Sequence, residues 1–223
     1  HLPELDGWTT AAHYQPARAV GGDFYDFTET PDGRLVIVVA DVSDKGIPAA
    51  LLMASTRMIV RAAATRYNDP GEILASANAE LAKEIPAGMF VTAFCGILDP
   101  QTGHLQYANA GHTLPYRRTC ERVDHLHANG FPLGLFPEAE YDTFETAIQP
   151  GECLLFLSDG MTEAHNPSGK MFGEGPLGDA LLSYLHGQAL LDKLMAELAK
   201  FTGPDWEQED DVTLLTLWRK EVR

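Results

Sequence analysis

The chain has 223 residues, 45% hydrophobic and 22% charged, an ordinary globular composition and long enough for one large domain with a substantial core, or at most two small ones. Its 32 Asp and Glu against 16 Lys and Arg give a formal net charge of −16, which argues against nucleic acid as a partner, because phosphate binding is dominated by Lys and Arg. No apolar run approaches the ~20 residues of a membrane span, so no direct membrane insertion is expected, and no charged segment followed by an apolar one marks a signal peptide.

In chain order, the first expected element is a strand over Thr9 to Tyr14. The string "GGDFYDF" (Gly21 to Phe27) follows, then a turn signal "TPDG" and the nearly all-apolar "RLVIVVADV" (Arg34 to Val42). β-Branched residues dominate that run, which predicts a central strand buried on both faces and paired with the preceding one in a hairpin. After "SDKG" the period changes. Leu51, Ser55, Met58, Ile59 and Ala62 share one helical face, with Arg57 and Arg61 together on another. A second helix is expected from Pro70 to Glu84, with proline at its first turn.

The middle of the chain is strand-rich. "MFVTAFCGIL" (Met89 to Leu98) turns at "DPQTG" into "HLQYANA", where Leu105 and Tyr107 alternate with His104 and Gln106 as a half-exposed strand requires. Short strands are predicted at Thr113 to Arg117, Arg122 to His127 and Tyr141 to Ile148, and an apolar one at Cys153 to Gly160. Two helices follow. The second has Leu190, Leu191, Leu194, Met195 and Leu198 on one core-facing stripe. "DDVTLLTLW" (Asp210 to Trp218) is the last strand. Strands in runs and helices in pairs predict an α+β fold of mostly antiparallel strands split into two packed sheets, with helix pairs outside. The three cysteines, Cys95, Cys120 and Cys153, have no metal-ligand spacing, and two sit in apolar runs. Buried reduced thiols in a reducing compartment are the expectation.

The acids matter through their positions. Asp41 and Asp159 end apolar strands, Asp210 and Asp211 begin one, and Asp23 starts the strand paired with the one that ends in Asp41. Four carboxylates meeting at one sheet edge would repel one another unless a cation compensates. Oxygen ligands of this kind suit Mg²⁺ or Mn²⁺ rather than zinc, and two such ions make phosphate ester hydrolysis the natural reaction class. Singly, each acid has a structural alternative: a Gly-Gly-Asp turn at Asp23, an Asp-Gly turn at Asp159, a charge run at Asp210 and Asp211.

The motifs "VGGDFYDF", "VVADVSDKGIPAALLM", "NAGHTLPY", "LFLSDGMTEA" and "DDVTLL", in this order and spacing, resemble the SpoIIE/RsbU branch of the PPM (type 2C-like) metal-dependent serine/threonine phosphatases of bacteria. The resemblance runs from about Leu2 to Trp218. It implies a central antiparallel β-sandwich flanked by helix pairs, and a single phosphatase domain over residues 1–223. A chain that begins at His1 is expected to be a piece of a longer, sensor-regulated cytoplasmic protein. The resemblance also implies a centre of two Mn²⁺ or Mg²⁺ ions. Asp23 would serve one metal, Asp41 would bridge both, the Val42 carbonyl would complete a ligand set, and Asp159 and Asp210 would hold the other ion. The implied substrate is phosphoserine or phosphothreonine on a regulatory protein of anti-anti-sigma type, in partner-switching signal transduction. Ser43 stands where eukaryotic-type members carry a histidine, so the general acid is open, with His112 a candidate for proton transfer or for packing. Arg18 is the candidate for the substrate phosphate. Asp26 and Asp211 are expected to support the site or face solvent, Lys45 to act on its loop, and Phe24 and Phe27 to pack into the sandwich. Homodimerisation is left open.

Three other readings are weighed. A diguanylate cyclase carries its similar string late in an α/β domain, behind a long helical segment, unlike "GGDFYDF". A haloacid-dehalogenase-like phosphatase needs Asp-x-Asp, and "ADVSD" spaces its acids one residue too far apart. The alternative outside enzymes is a phosphatase-shaped binding or scaffold module.

Overall fold

In the computed structural model, which describes residues 2–204 and 206–221, the apolar run that predicts a central strand is β3, Leu35–Val42. It lies between β2 (Phe24–Glu29) and β4 (Val91–Leu98), antiparallel to both. β5 (His104–Ala110) and β8 (Phe144–Ala147) complete a five-stranded sheet in the order β2-β3-β4-β5-β8. The second sheet runs β1 (Trp8–Gln15), β10 (Val212–Arg219), β9 (Cys153–Leu157), β6 (Tyr116–Arg118) and β7 (Val123–His125), again antiparallel throughout.

Two-residue periodicity explains the layers. Ile37 and Val39 of β3 meet Phe94, Phe156, Leu215 and Leu217 between the sheets. Val36, Val38 and Ala40 point the other way, against α1 (Ile47–Ala64) and α2 (Pro70–Leu81). On the far side α4 (Gly175–Leu182) and α5 (Gln188–Thr202) cover the second sheet, with Leu190, Leu191, Leu194 and Leu198 fully inside. The result is the α-β-β-α layering expected from the grouping of elements.

The structure decides which face of α1 is buried. Its buried residues are Ala49, Leu52, Thr56, Val60, Ala63 and Ala64. The apolar stripe of Leu51, Ser55, Met58, Ile59 and Ala62 instead faces largely outward, with Leu51 and Met58 each 66% exposed. The helix is apolar on most sides, so period alone does not choose a face. Small residues at 49, 56 and 63 let it lie close on β3, and that decides the matter. By length and composition α1 could cross a bilayer, an expectation the sequence did not raise, yet here it packs on a sheet.

Smaller differences are local. The strand expected to reach Gly160 stops at Leu157, and Asp159–Thr162 form one helical turn, α3, behind Ser158. The second helix ends at Leu81 rather than Glu84, and the three short strands have three or four residues each, the first of them shifted to end at Arg118. Phe24 packs under α1 while Phe27 lies against the inter-sheet core. Their odd separation puts them on opposite faces of one strand, so only Phe27 enters the sandwich. All three cysteines are free. Cys95 and Cys153 are buried, Cys120 is exposed, and burial pushes the Cys153 thiol up to about 12.

Candidate metal centre

Strand register brings the first two acids together. Phe24 pairs with Ala40, so extending the ladder by one residue sets Asp23 opposite Asp41. The other two come from the second sheet. Asp159 opens α3 with only Ser158 between it and the end of β9, and Asp210 lies two residues before the start of β10, the antiparallel neighbour of β9. All four sequence-predicted acids therefore reach the same end of the sandwich.

This convergence has electrostatic consequences. Asp41 is pushed well above the ordinary carboxylate range, first by burial and then by the charges of Asp23 and Asp159, with a hydrogen bond to Asp23 and the charge of Asp210 adding to it. Asp23, 2% exposed, is raised by burial despite the hydrogen bond it accepts from Thr213. Asp159 is raised by burial, then by Glu163 and Asp210. Without a cation, the Asp23–Asp41 pair lowers its repulsion by keeping a proton.

Around this pair the backbone is built tightly. Thr213 Oγ1 donates to Asp23 Oδ2 at 2.6 Å. Asp211 is buried and accepts three backbone N–H groups from the loop before β2: Ala17 on Oδ1 at 2.8 Å, and Gly22 and Asp23 on Oδ2 at 2.7 and 3.2 Å. It supports the site rather than facing solvent. Both glycines of "GGD" are required by contact. A Cβ on Gly21 would lie 2.0 Å from Asp211 Oδ2, and one on Gly22 would lie 2.9 Å from the Val42 carbonyl oxygen. Thr213 and Ser158 were missed in the sequence. The only signal was spacing: Asp211 and Thr213 are two apart, hence on one face of the incoming strand.

Lys45 touches a candidate ligand, which its assignment to the loop did not anticipate. Its Nζ pairs with Asp210 Oδ2 at 2.9 Å and donates to the Glu209 carbonyl. Asp44, with φ 74°, and Gly46, with φ 79°, turn the chain so that it can. Arg18 stands exposed in the β1–β2 loop, one residue from Ala17, and its only salt bridge among the described residues is with the exposed Glu207 at 3.0 Å.

Ser43, in the place of the missing histidine, and His112, the proton-transfer candidate, sit differently. Ser43 Oγ accepts from the Phe90 N–H at 2.8 Å, a strand-end link. His112 is buried. Its Nδ1 lies 2.8 Å from Thr92 Oγ1, and Thr92 pairs with Asp41 across β3 and β4. Burial pulls the imidazole down to about 4, so it stays neutral near pH 7. Asn109 holds the "NAGH" turn closed, accepting from the His112 N–H and donating to the His112 and Ala128 carbonyls. In this arrangement the packing alternative for His112 has the stronger geometric support. Asp26, also buried, is gripped by Arg57 and Arg61 of α1.

Among the described residues, no three acid, imidazole or thiol groups form a finished cage around one point. The donor set is carboxylate oxygens, with the Val42 carbonyl laid bare by Gly22 beside it. That chemistry fits a hard divalent cation which keeps much of its water, and does not fit a tetrahedral zinc site.

Residues 31–220 match the family model described as stage II sporulation protein E (SpoIIE), a segment that begins after Arg18 and Asp23. The chain is 28% identical over 224 residues to phosphoserine phosphatase RsbU of Bacillus subtilis, covering 98% of this chain and 65% of that protein. It is 30% identical over 247 residues to protein IcfG of Synechocystis, covering 98% and 39%. It thus spans less than two thirds of either relative's length. Among solved structures, the RsbU and RsbW domains of Rv1364c from Mycobacterium tuberculosis match with a TM-score of 0.80 at 28% identity, over 99% of this chain and 62% of that one. The SiaA-PP2C domain of Pseudomonas aeruginosa matches with a TM-score of 0.82 at 26% identity, over 94% and 84%.

Proposed function

The chain belongs to the SpoIIE family, and from that premise we propose that it is a metal-dependent protein phosphatase acting on phosphoserine or phosphothreonine. The observation that carries the reading is the buried Asp23–Asp41 contact with Asp159 and Asp210 close by. Such a cluster is costly to keep without a compensating cation. Asp23, Asp41, the Val42 carbonyl, Asp159 and Asp210 are the groups that would hold two Mn²⁺ or Mg²⁺ ions. Those ions, when bound, lower the pKa of water to make a nucleophile and screen the charge that develops on the phosphoryl group.

The chain's own residues supply the rest. Asp41, at the centre of the cluster, keeps a proton in the metal-free protein and would release it when it becomes a ligand. Arg18, free to swing from its exposed pairing with Glu207, binds the substrate phosphate as a guanidinium fork. Thr213, Ser158 and Asp211 hold Asp23 and its loop still. His112 positions β4 against β3 through Thr92 and leaves proton transfer to other groups. The similarity to phosphoserine phosphatase RsbU supports phosphoserine as the substrate group; the reading extends to a regulatory phosphoprotein in a partner-switching pathway, acted on by this single domain under an upstream sensor in a cytoplasmic protein.

The test is Mn²⁺-dependent hydrolysis of a phosphoserine peptide by the wild type, Asp41→Asn and Asp159→Asn, with metal binding followed by calorimetry. Loss of a ligand removes several kcal/mol of transition-state stabilisation, a rate loss on the order of 10³-fold. Wild-type activity unchanged in both variants would refute the site. Metal binding without hydrolysis would favour the scaffold module instead.

A further inference from the structure

Beside the candidate metal centre lies a cavity of about 310 Å³ that its chemistry does not use. Its lining includes Asp23 and Tyr14, and Asp26, Arg57, Arg61 and Met53. It follows β2, which is the edge strand of its sheet. Arg57 and Arg61 are one helical turn apart on α1 and converge on the same acid. Arg61 bonds Asp26 twice, Nε to Oδ2 at 2.5 Å and an η-nitrogen to Oδ1 at 2.9 Å. Arg57 adds one bond to Oδ1 at 2.8 Å.

The charges do not balance. Asp26 is 6% exposed and carries one negative charge, while the two guanidiniums, 44% and 46% exposed, carry two positive ones. One positive charge is left facing the cavity in a chain whose net charge is −16. Arg57 places one of its five N–H donors on Asp26, and among the described residues its others meet no hydrogen-bond partner. Asp26 also fixes both side chains in place, so little rotamer freedom remains to be lost on binding.

We propose that this arginine pair binds a carboxylate side chain of the phosphoprotein substrate, close in sequence to the phosphorylated residue; the inference rests on the phosphatase reading above. Spacing sets the register. Asp23 and Asp26 are three residues apart along an edge strand, about 10 Å at ~3.3 Å per residue; their side chains leave opposite faces, yet both border the one cavity that runs along that edge. An extended substrate segment with its phosphate at the metal centre therefore brings an Asp or Glu two or three residues away to Arg57. The site selects acidic phosphopeptides against neutral ones.

The experiment compares phosphoserine peptides bearing Glu or Gln two and three residues to either side of the phosphoserine, with Mn²⁺, on the wild type, Arg57→Gln and Arg57→Lys. Arg61 keeps both its bonds to Asp26 in these variants, and a thermal melt checks that they fold. For one Glu position the wild type should prefer Glu over Gln by about fivefold in kcat/KM, through KM, the size of one partly exposed charged pair. Arg57→Gln should bring that ratio close to one, and Arg57→Lys should restore part of it. A wild-type ratio near one at every position, or a preference that survives in Arg57→Gln, overturns the inference while p-nitrophenyl phosphate turnover leaves the phosphatase reading standing. Failure to hydrolyse p-nitrophenyl phosphate and every peptide overturns that reading, and this inference with it.

Discussion

Replacing Asp211 by Asn should destabilise the fold far more than the change of a few atoms suggests. The carboxylate accepts backbone N–H groups on both oxygens, from Ala17, Gly22 and Asp23, all nearly the full length of the chain away. An amide has one acceptor oxygen. Aimed at Gly22 and Asp23, it turns its NH₂ on the Ala17 N–H, donor against donor. One bond is then lost with its donor left buried, about 1–3 kcal/mol, and the two retained bonds fall from charge-assisted to neutral strength, about 1 kcal/mol each. Against this, removing one negative charge relieves the repulsion Asp211 exerts on Asp23, worth roughly 1 kcal/mol at short range in a partly screened setting. The loss wins, leaving about 2–4 kcal/mol of destabilisation. In urea unfolding of the metal-free protein this appears as a lower midpoint at unchanged slope, and in a melt as a Tm lower by roughly 5–15 °C for a chain of this size. A change under about 0.5 kcal/mol would refute the claim that Asp211 ties the "GGD" loop to β10.

Two further outcomes can be checked on the same protein. Asp41 has a folded pKa raised above its unfolded value, so the folded state holds its proton longer; the metal-free protein in EDTA should lose stability as pH rises above about 4 towards the alkaline side. Asp41→Asn should flatten that slope, and a slope unchanged in the variant would count against the burial and charge of the cluster. Asn109→Ala frees the His112 N–H and two carbonyls and should cost about 2–4 kcal/mol in urea unfolding; a loss below about 0.5 kcal/mol would mean the "NAGH" turn closes without it.

Much of the architecture was legible because the local signals were strong. "TPDG" between two β-rich runs makes a hairpin, and Arg34 to Val42 is too uniformly β-branched to be anything but a strand with both faces covered. The face of α1 was not legible, because the apolar residues surround it and only the closeness of β3 favours the side with Ala49, Thr56 and Ala63. Short strands were overextended because their ends depend on where a ladder partner runs out, not on their own residues. In the candidate site the acids stood out by position at strand ends. Their supports did not: Thr213 in a strand and Ser158 just past the end of one are ordinary residues until the two sheets meet.

Sequence by itself determined what each segment could do locally: where glycine pairs allow close approach, which runs prefer strands, and which ends carry a carboxylate. Those properties belong to single residues and their neighbours. Only the tertiary structure decided which carboxylates crowd together, that Asp211 and not Asp210 holds the loop before β2, and that Arg57 and Arg61 outnumber the one acid between them. These are properties of pairs from distant parts of the chain. Their energies depend on separation and burial, and neither quantity exists until the sheets are stacked.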